Sequence, residues 1–238
     1  MEKKYKTEKE GNLLRIIALK DFSDVREGDK GGLIENEYNL SQDGDCWVYE
    51  GAKIFDDARV FENAKVYNNA VVDGHASVYG NAKVYGFAWV SGGACVFDNA
   101  DVHGRANILK NAQVYGDAEV EGNARVTGGA KVSGNARVFG LACVFDCAWV
   151  SGNAKVHGKV FVGMHALVYG DVKLWSTKNF NIAGLIKDKR DYIIFVIKRD
   201  FYVFPSNIEN IFVENTPIVE KDYIKNIQTI RQLYRKEV

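Results

Sequence analysis

From Val48 to Leu174 an aliphatic residue returns at every sixth position, 22 times, with no insertion or deletion. Nineteen of these are Val; Ile54, Ile108 and Leu174 complete the series. Two residues before each stands a small residue, Ala in 19 units and Cys46, Val160 or Val172 in the others. Val78-Tyr79-Gly80-Asn81-Ala82-Lys83 is a representative unit. A period of six suits neither an α-helix nor a heptad coiled coil. It suits a short strand plus a corner. The aliphatic residue points inward and its two neighbours point outward. Gly and Asn, which both tolerate positive φ, supply the turn, and Ala fills the tight inside of the corner. No unit buries its apolar side chain alone, so the units must stack on one another.

A second period fixes the number of sides. Asp45, Asn63, Asn81, Asn99, Asp117, Asn135, Asn153 and Asp171 are spaced by 18 and are all Asn or Asp, whereas the other corner columns are mixed. Three units per coil and a triangular prism with one polar corner ladder follow. About seven coils at a strand spacing of about 4.8 Å make a rod roughly 35 Å long.

This repeat, the run Leu13-Leu14-Arg15-Ile16-Ile17-Ala18-Leu19-Lys20-Asp21-Phe22 and the segment Gly28-Asp29-Lys30-Gly31-Gly32 together resemble the left-handed hexapeptide β-helix superfamily. Within it the chain is similar to bacterial and phage proteins of the YdcK type, often labelled acyltransferases. The left-handed sense is implied by the resemblance alone, since the general crossover rule gives the opposite hand. The resemblance also implies trimers and, for the acyltransferases, a histidine base in a cleft between subunits with the cofactor along late coils.

The fold expected is therefore mainly β: a left-handed parallel β-helix over 47–174, an N-terminal β cap over 1–46, and a small C-terminal α+β unit over 175–238. In the cap, an apolar strand near Leu13–Leu19 precedes a Gly-rich turn into the first coil. In the C-terminal unit, Tyr192–Val196 and Phe201–Phe204 read as a hairpin turning at Lys198-Arg199-Asp200. Thr216-Pro217 reads as a helix start, with Tyr223, Ile227, Ile230 and Tyr234 on one stripe.

Composition removes several functions. Lys plus Arg and Asp plus Glu both number 31, so no electrostatic case exists for a long nucleic acid or an anionic membrane. No leader and no apolar run long enough for a membrane span is found, so cytoplasm is the expected location. Cys46, Cys95, Cys143 and Cys147 form no metal-binding spacing.

The outward columns hold the candidate chemistry. Phe61, Tyr79, Phe97 and Tyr115 succeed one another on one face, an exposed stripe that suits an oligomer interface, first of all a homotrimer. A second face carries Tyr49, Tyr67, Tyr85 and His103 beside Lys65 and Lys83, groups that could hold a small nucleotide-like ligand. Its ordinary alternative is a solvated face favoured by β-propensity. Trp89 on the third face is a candidate contact residue.

Catalysis finds less support. His157, between Lys155 and Lys159, is the candidate general base, but no inserted loop and no nearby acidic residue accompany it. No metal site is expected, because the closest histidines, His157 and His165, are eight residues apart. Neither a phosphate loop nor a nucleophile elbow is present. The preferred reading is a non-catalytic binding or scaffolding protein without cofactor, a phage or prophage accessory factor that binds a host protein. Sequestration of a nucleotide-like ligand at subunit clefts and acyl-CoA-dependent acyl transfer stay open beside it.

Overall fold

The computed structural model describes residues 2–176 with their side chains and, beyond them, the backbone of strands Lys173–Ile182, Leu185–Ile186, Ile193–Ile197, Asp200–Phe204 and Ile211–Phe212. The expected helix from Thr216-Pro217 and the residues Tyr192, Lys198 and Arg199 lie outside the described residues.

The repeat folds as a left-handed parallel β-solenoid of about eight turns. Units up to Val150 each give a two-residue strand such as Lys83–Val84, paired in parallel with Lys65–Val66 on one side and Asp101–Val102 on the other. The 18-residue register repeats on all three faces, as in Trp89↔Asn107 and Cys95↔Gln113. The inward Val and the corner Ala are completely buried through the rod. Each Val so enclosed stabilises the fold by about 1.5–3 kcal/mol relative to exposure.

The corners correct one expectation. Apart from Gly51 in the first corner (φ 89°), the position after the outward residue is the one that takes positive φ in the repeat: Gly80 has φ 70°, and Asn68, Asp98 and Asp146 occupy the same place at 60°, 58° and 57°. A Cβ at Gly80 would lie 2.7 Å from the Asp98 nitrogen. The Asn column that follows is not left-handed. Its side chains bond from coil to coil: Asn63 Nδ2 donates to Asn81 (3.2 Å), Asn81 to Asn99 (3.0 Å), Asn99 to Asp117 (3.0 Å), Asn135 to Asn153 (3.1 Å) and Asn153 to Asp171 (2.8 Å). Asp45 joins through its backbone N–H to Asn63 Oδ1 at 3.3 Å.

At the N-terminus, β1 (Tyr5–Glu10) and β2 (Leu13–Ala18) form an antiparallel hairpin, and β2 pairs with β3 (Lys30–Ile34). Gly31 and Gly32, expected in a turn, lie inside β3. They are needed for close approach: a Cβ would stand 2.5 Å from Ile16 Cγ1 at Gly31 and 2.5 Å from the Ala52 carbonyl at Gly32. Strand β3 also pairs in parallel with Lys53–Ile54, and Leu40 bridges Val60. Residues 33–40 thus supply sides of a coil before the regular repeat begins. At the other end Lys173–Ile182 extends the sheet, with a register shift opposite Gly158/Val160. Ile193–Ile197 and Asp200–Phe204 form the expected hairpin, with Asp200 in the strand opposite Ile197, and Ile193 pairs with Ile186 of the sheet that includes the Arg59–Val60 strand. Among the described residues no helix is long and apolar enough to cross a membrane.

Candidate functional site

Stacking brings together two sets of outward side chains. Residues 18 apart lie in one column. In addition, the residue after an inward aliphatic meets the residue before the inward aliphatic of the next coil, 16 positions on. Trp89 Nε1 donates to Asp73 in this way at 2.9 Å, and Trp149 Nε1 to Ser133 at 2.8 Å.

On the Tyr/Lys face this diagonal assembles a cluster that the sequence reading missed. His103 Nε2 lies 3.1 Å from Glu119 and 3.8 Å from Glu121. The Arg137 guanidinium contacts Glu119 and Glu121, both at 2.6 Å. Candidate ligand atoms of His103, Glu119 and Glu121 fall within 4.8 Å of one another. That spacing would fit a metal ion, but Arg137 already forms an ion pair with both carboxylates there. Next to it, Asp101 is half-buried with Oδ1 unpartnered, and burial pushes its carboxyl above the usual range against the pull of His103. The Tyr85 hydroxyl is pushed up by burial first and by Asp101 and Tyr67 after it.

The other residues of this face are largely engaged. Asp24, from the cap, accepts from the Tyr49 hydroxyl at 2.8 Å and from Lys65 at 2.5 Å. The Lys65 ammonium, its largest influence, holds the Asp24 carboxyl down at about 2. Tyr67 stacks on Tyr85 at 4.5 Å and Tyr85 on His103 at 4.8 Å, while Tyr49 meets Tyr67 edge-on at 5.9 Å. Ring faces are therefore covered by ring faces, and an incoming nucleobase would reach only ring edges. Lys83 is exposed beside this stack.

His157 stacks on Phe139 at 4.5 Å and leans towards Trp175 at 5.9 Å. Burial lowers its pKa. Among the described residues no carboxylate forms an ion pair with it, so it is held by rings rather than by an acidic partner.

On another face, Phe61–Tyr79, Tyr79–Phe97 and Phe97–Tyr115 stack at 4.8, 4.9 and 4.9 Å with interplanar angles of 5°, 2° and 3°. This is the strand spacing transferred to the side chains. Mutual coverage leaves these rings half-buried, so the stripe exposes less apolar surface than its composition implies. The most open large apolar groups are instead Phe87 (62 %), Met164 (61 %) and Leu141 (52 %) at corners, followed by Tyr38 (51 %) and Trp89 (43 %).

No family model matches the chain. The uncharacterized acetyltransferase YdcK of Escherichia coli (strain K12) is similar to it, with 48% identity over 44 residues. That stretch is 18% of this chain and 14% of the YdcK sequence. Repeat, pairing and likeness agree. The chain fits the hexapeptide-repeat β-helix superfamily. Within that superfamily the label acetyltransferase is carried by the relative, over a short shared segment.

Proposed function

We propose that the chain is a rigid, non-catalytic binding and scaffolding β-helix that assembles as a homotrimer and docks a host protein. The observation that supports this best is the mutual satisfaction of its faces. Rings cover rings, Arg137 pairs with Glu119 and Glu121, His103 lies against Glu119, and Asp24 engages both Lys65 and Tyr49. Such a surface is preorganised and flat, so docking a protein on it costs little ordering. Phe87, exposed at a corner, and Trp89, exposed in the strand that follows it, are the anchors expected for a partner. The test is a pull-down comparing the native chain with Phe87→Asp and Trp89→Asp. A protein retained by the native chain and lost by both variants supports the reading; identical capture by all three overturns it. Native mass spectrometry checks assembly, where a monomer overturns the trimer.

Acyl transfer is the second reading, favoured by the relative's label and by the His103–Glu119 pair. In that reading His103, not His157, is the base: Glu119 at 3.1 Å from Nε2 fixes the ring and leaves Nδ1 for the acceptor's proton. It requires acetyl-CoA to raise the melting temperature and His103→Ala to abolish transfer. No shift with acetyl-CoA overturns it.

A further inference from the structure

The four-ring ladder from Phe61 to Tyr115 ends differently at its two ends. Ser133 follows Tyr115 in the column, because Val114 pairs with Val132. Trp149 closes that end: its Nε1 donates to Ser133 Oγ at 2.8 Å, and Ser133 is only 4 % exposed. At the first end the bridge Leu40↔Val60 sets Ser41 before Phe61 in the same way. Here no indole covers the serine. Tyr79 occupies one face of the Phe61 ring. On the cap side, Phe61 instead borders a cavity of about 420 Å³ shared with Tyr38, Leu40, Ser41, Gln42 and Arg59. An adjoining hollow of about 520 Å³ is also lined by Ser41 and Phe61.

We propose that this open end binds a planar aromatic carboxylate, stacked on Phe61 as a fifth ring and paired through its carboxylate with Arg59. The register of the ladder sets the place and tilt of the incoming ring, so no side chain must reorganise to receive it. Arg59 is exposed and, among the described residues, takes part in no ion pair or side-chain hydrogen bond. Its planar guanidinium matches a carboxylate in bidentate fashion. The neighbouring polar groups are differently placed. Gln42 is engaged with the backbone of Lys4 and Tyr5. Glu37, at the rim, is held by Thr7 at 3.1 Å and Lys3 at 3.7 Å. Ser41 Oγ accepts from the Asp43 N–H at 3.0 Å, which leaves its own proton to donate to the ligand. A volume of this order suits a ligand of one or two rings.

The experiment is isothermal titration of the full chain with 2-naphthoate. Cyclohexanecarboxylate serves as the non-planar acid and 2-naphthol as the uncharged ring. Saturable binding of 2-naphthoate is expected, weaker by roughly tenfold or more for each comparator, which lacks either stacking or the charged pair. Arg59→Gln and Phe61→Ala should each weaken it by a similar factor. Ser41→Trp fills the cavity as Trp149 fills the opposite end, and should abolish binding while the melting temperature is kept. Absence of saturable binding, equal binding of cyclohexanecarboxylate, or binding that survives all three variants overturns the proposal.

Discussion

Asn99 donates its side-chain amide to the Asp117 carboxylate at 3.0 Å, and there the corner ladder stops. An ionised carboxylate accepts but cannot donate, so Asp117 has nothing to give Asn135, and a second run begins at Asn135 and reaches Asp171. Asp117→Asn should join the two runs. The expected gain is about 0.5–1.5 kcal/mol for one added hydrogen bond, read as a melting point higher by roughly 2–4 °C per kcal/mol in a chain of this size. A lower melting point would show that the acidic corner has a role of its own.

Lys4 closes the first coil. Its buried ammonium donates to the carbonyls of Cys46 at 2.9 Å, Gly44 at 3.1 Å and Asp43 at 3.5 Å, and lies 3.3 Å from Cys46 Sγ. Lys4→Met keeps the stem and leaves these carbonyls without a donor. Urea unfolding should show a loss of about 2–4 kcal/mol, the cost of orphaned buried acceptors.

The cap is tied to the Tyr/Lys face by Asp24. Its carboxyl is held at about 2 in the folded chain, by Lys65 before any other group, against an ordinary value of 3.8. A depressed carboxylate contributes stability above its unfolded pKa, and that contribution fades as pH falls through the folded one. Unfolding midpoints should therefore drop between about pH 4 and pH 2, and Asp24→Asn should flatten the drop. Asp24 is largely solvent-facing, so screening keeps the effect modest.

Arg137 occupies the place a metal would take among His103, Glu119 and Glu121. Arg137→Ala should leave two uncompensated carboxylates beside an imidazole, an oxygen and nitrogen donor set suited to zinc. Micromolar zinc is then expected to raise the melting temperature of the variant and not of the native chain. An equal rise in both would mean that the guanidinium does not guard the site.

The rod was legible because Val and Ala alternate on a strict period of six, and the ladder from Asp45 to Asp171 because one column is purely Asn or Asp. The His103–Glu119 pair was hidden because its spacing of 16 belongs to neither period. It arises from the lean of side chains between neighbouring columns, which a list of columns does not contain. The covering of Tyr67 by Tyr85 was likewise hidden: composition gives four aromatic rings and not their mutual coverage. The flanking coils escaped notice because Leu33–Ile34 pairs with Lys53–Ile54 at an offset of 20 rather than 18, which breaks the count. Gly31 and Gly32 were read as a turn because glycine marks turns and close approaches equally.

The 18-residue register, constant between Trp47 and Trp149, makes this part of the rod a molecular ruler. Its length changes only in whole steps of about 4.8 Å. Duplicating residues 100–117 should lengthen it by one such step, with the buried Val, Ile and Ala columns continued unchanged and each outward residue stacked on its own copy. Whatever the two ends engage, the distance between them is set by a count of repeats, a quantity that evolution or a designer can change in whole numbers without redesigning the buried core.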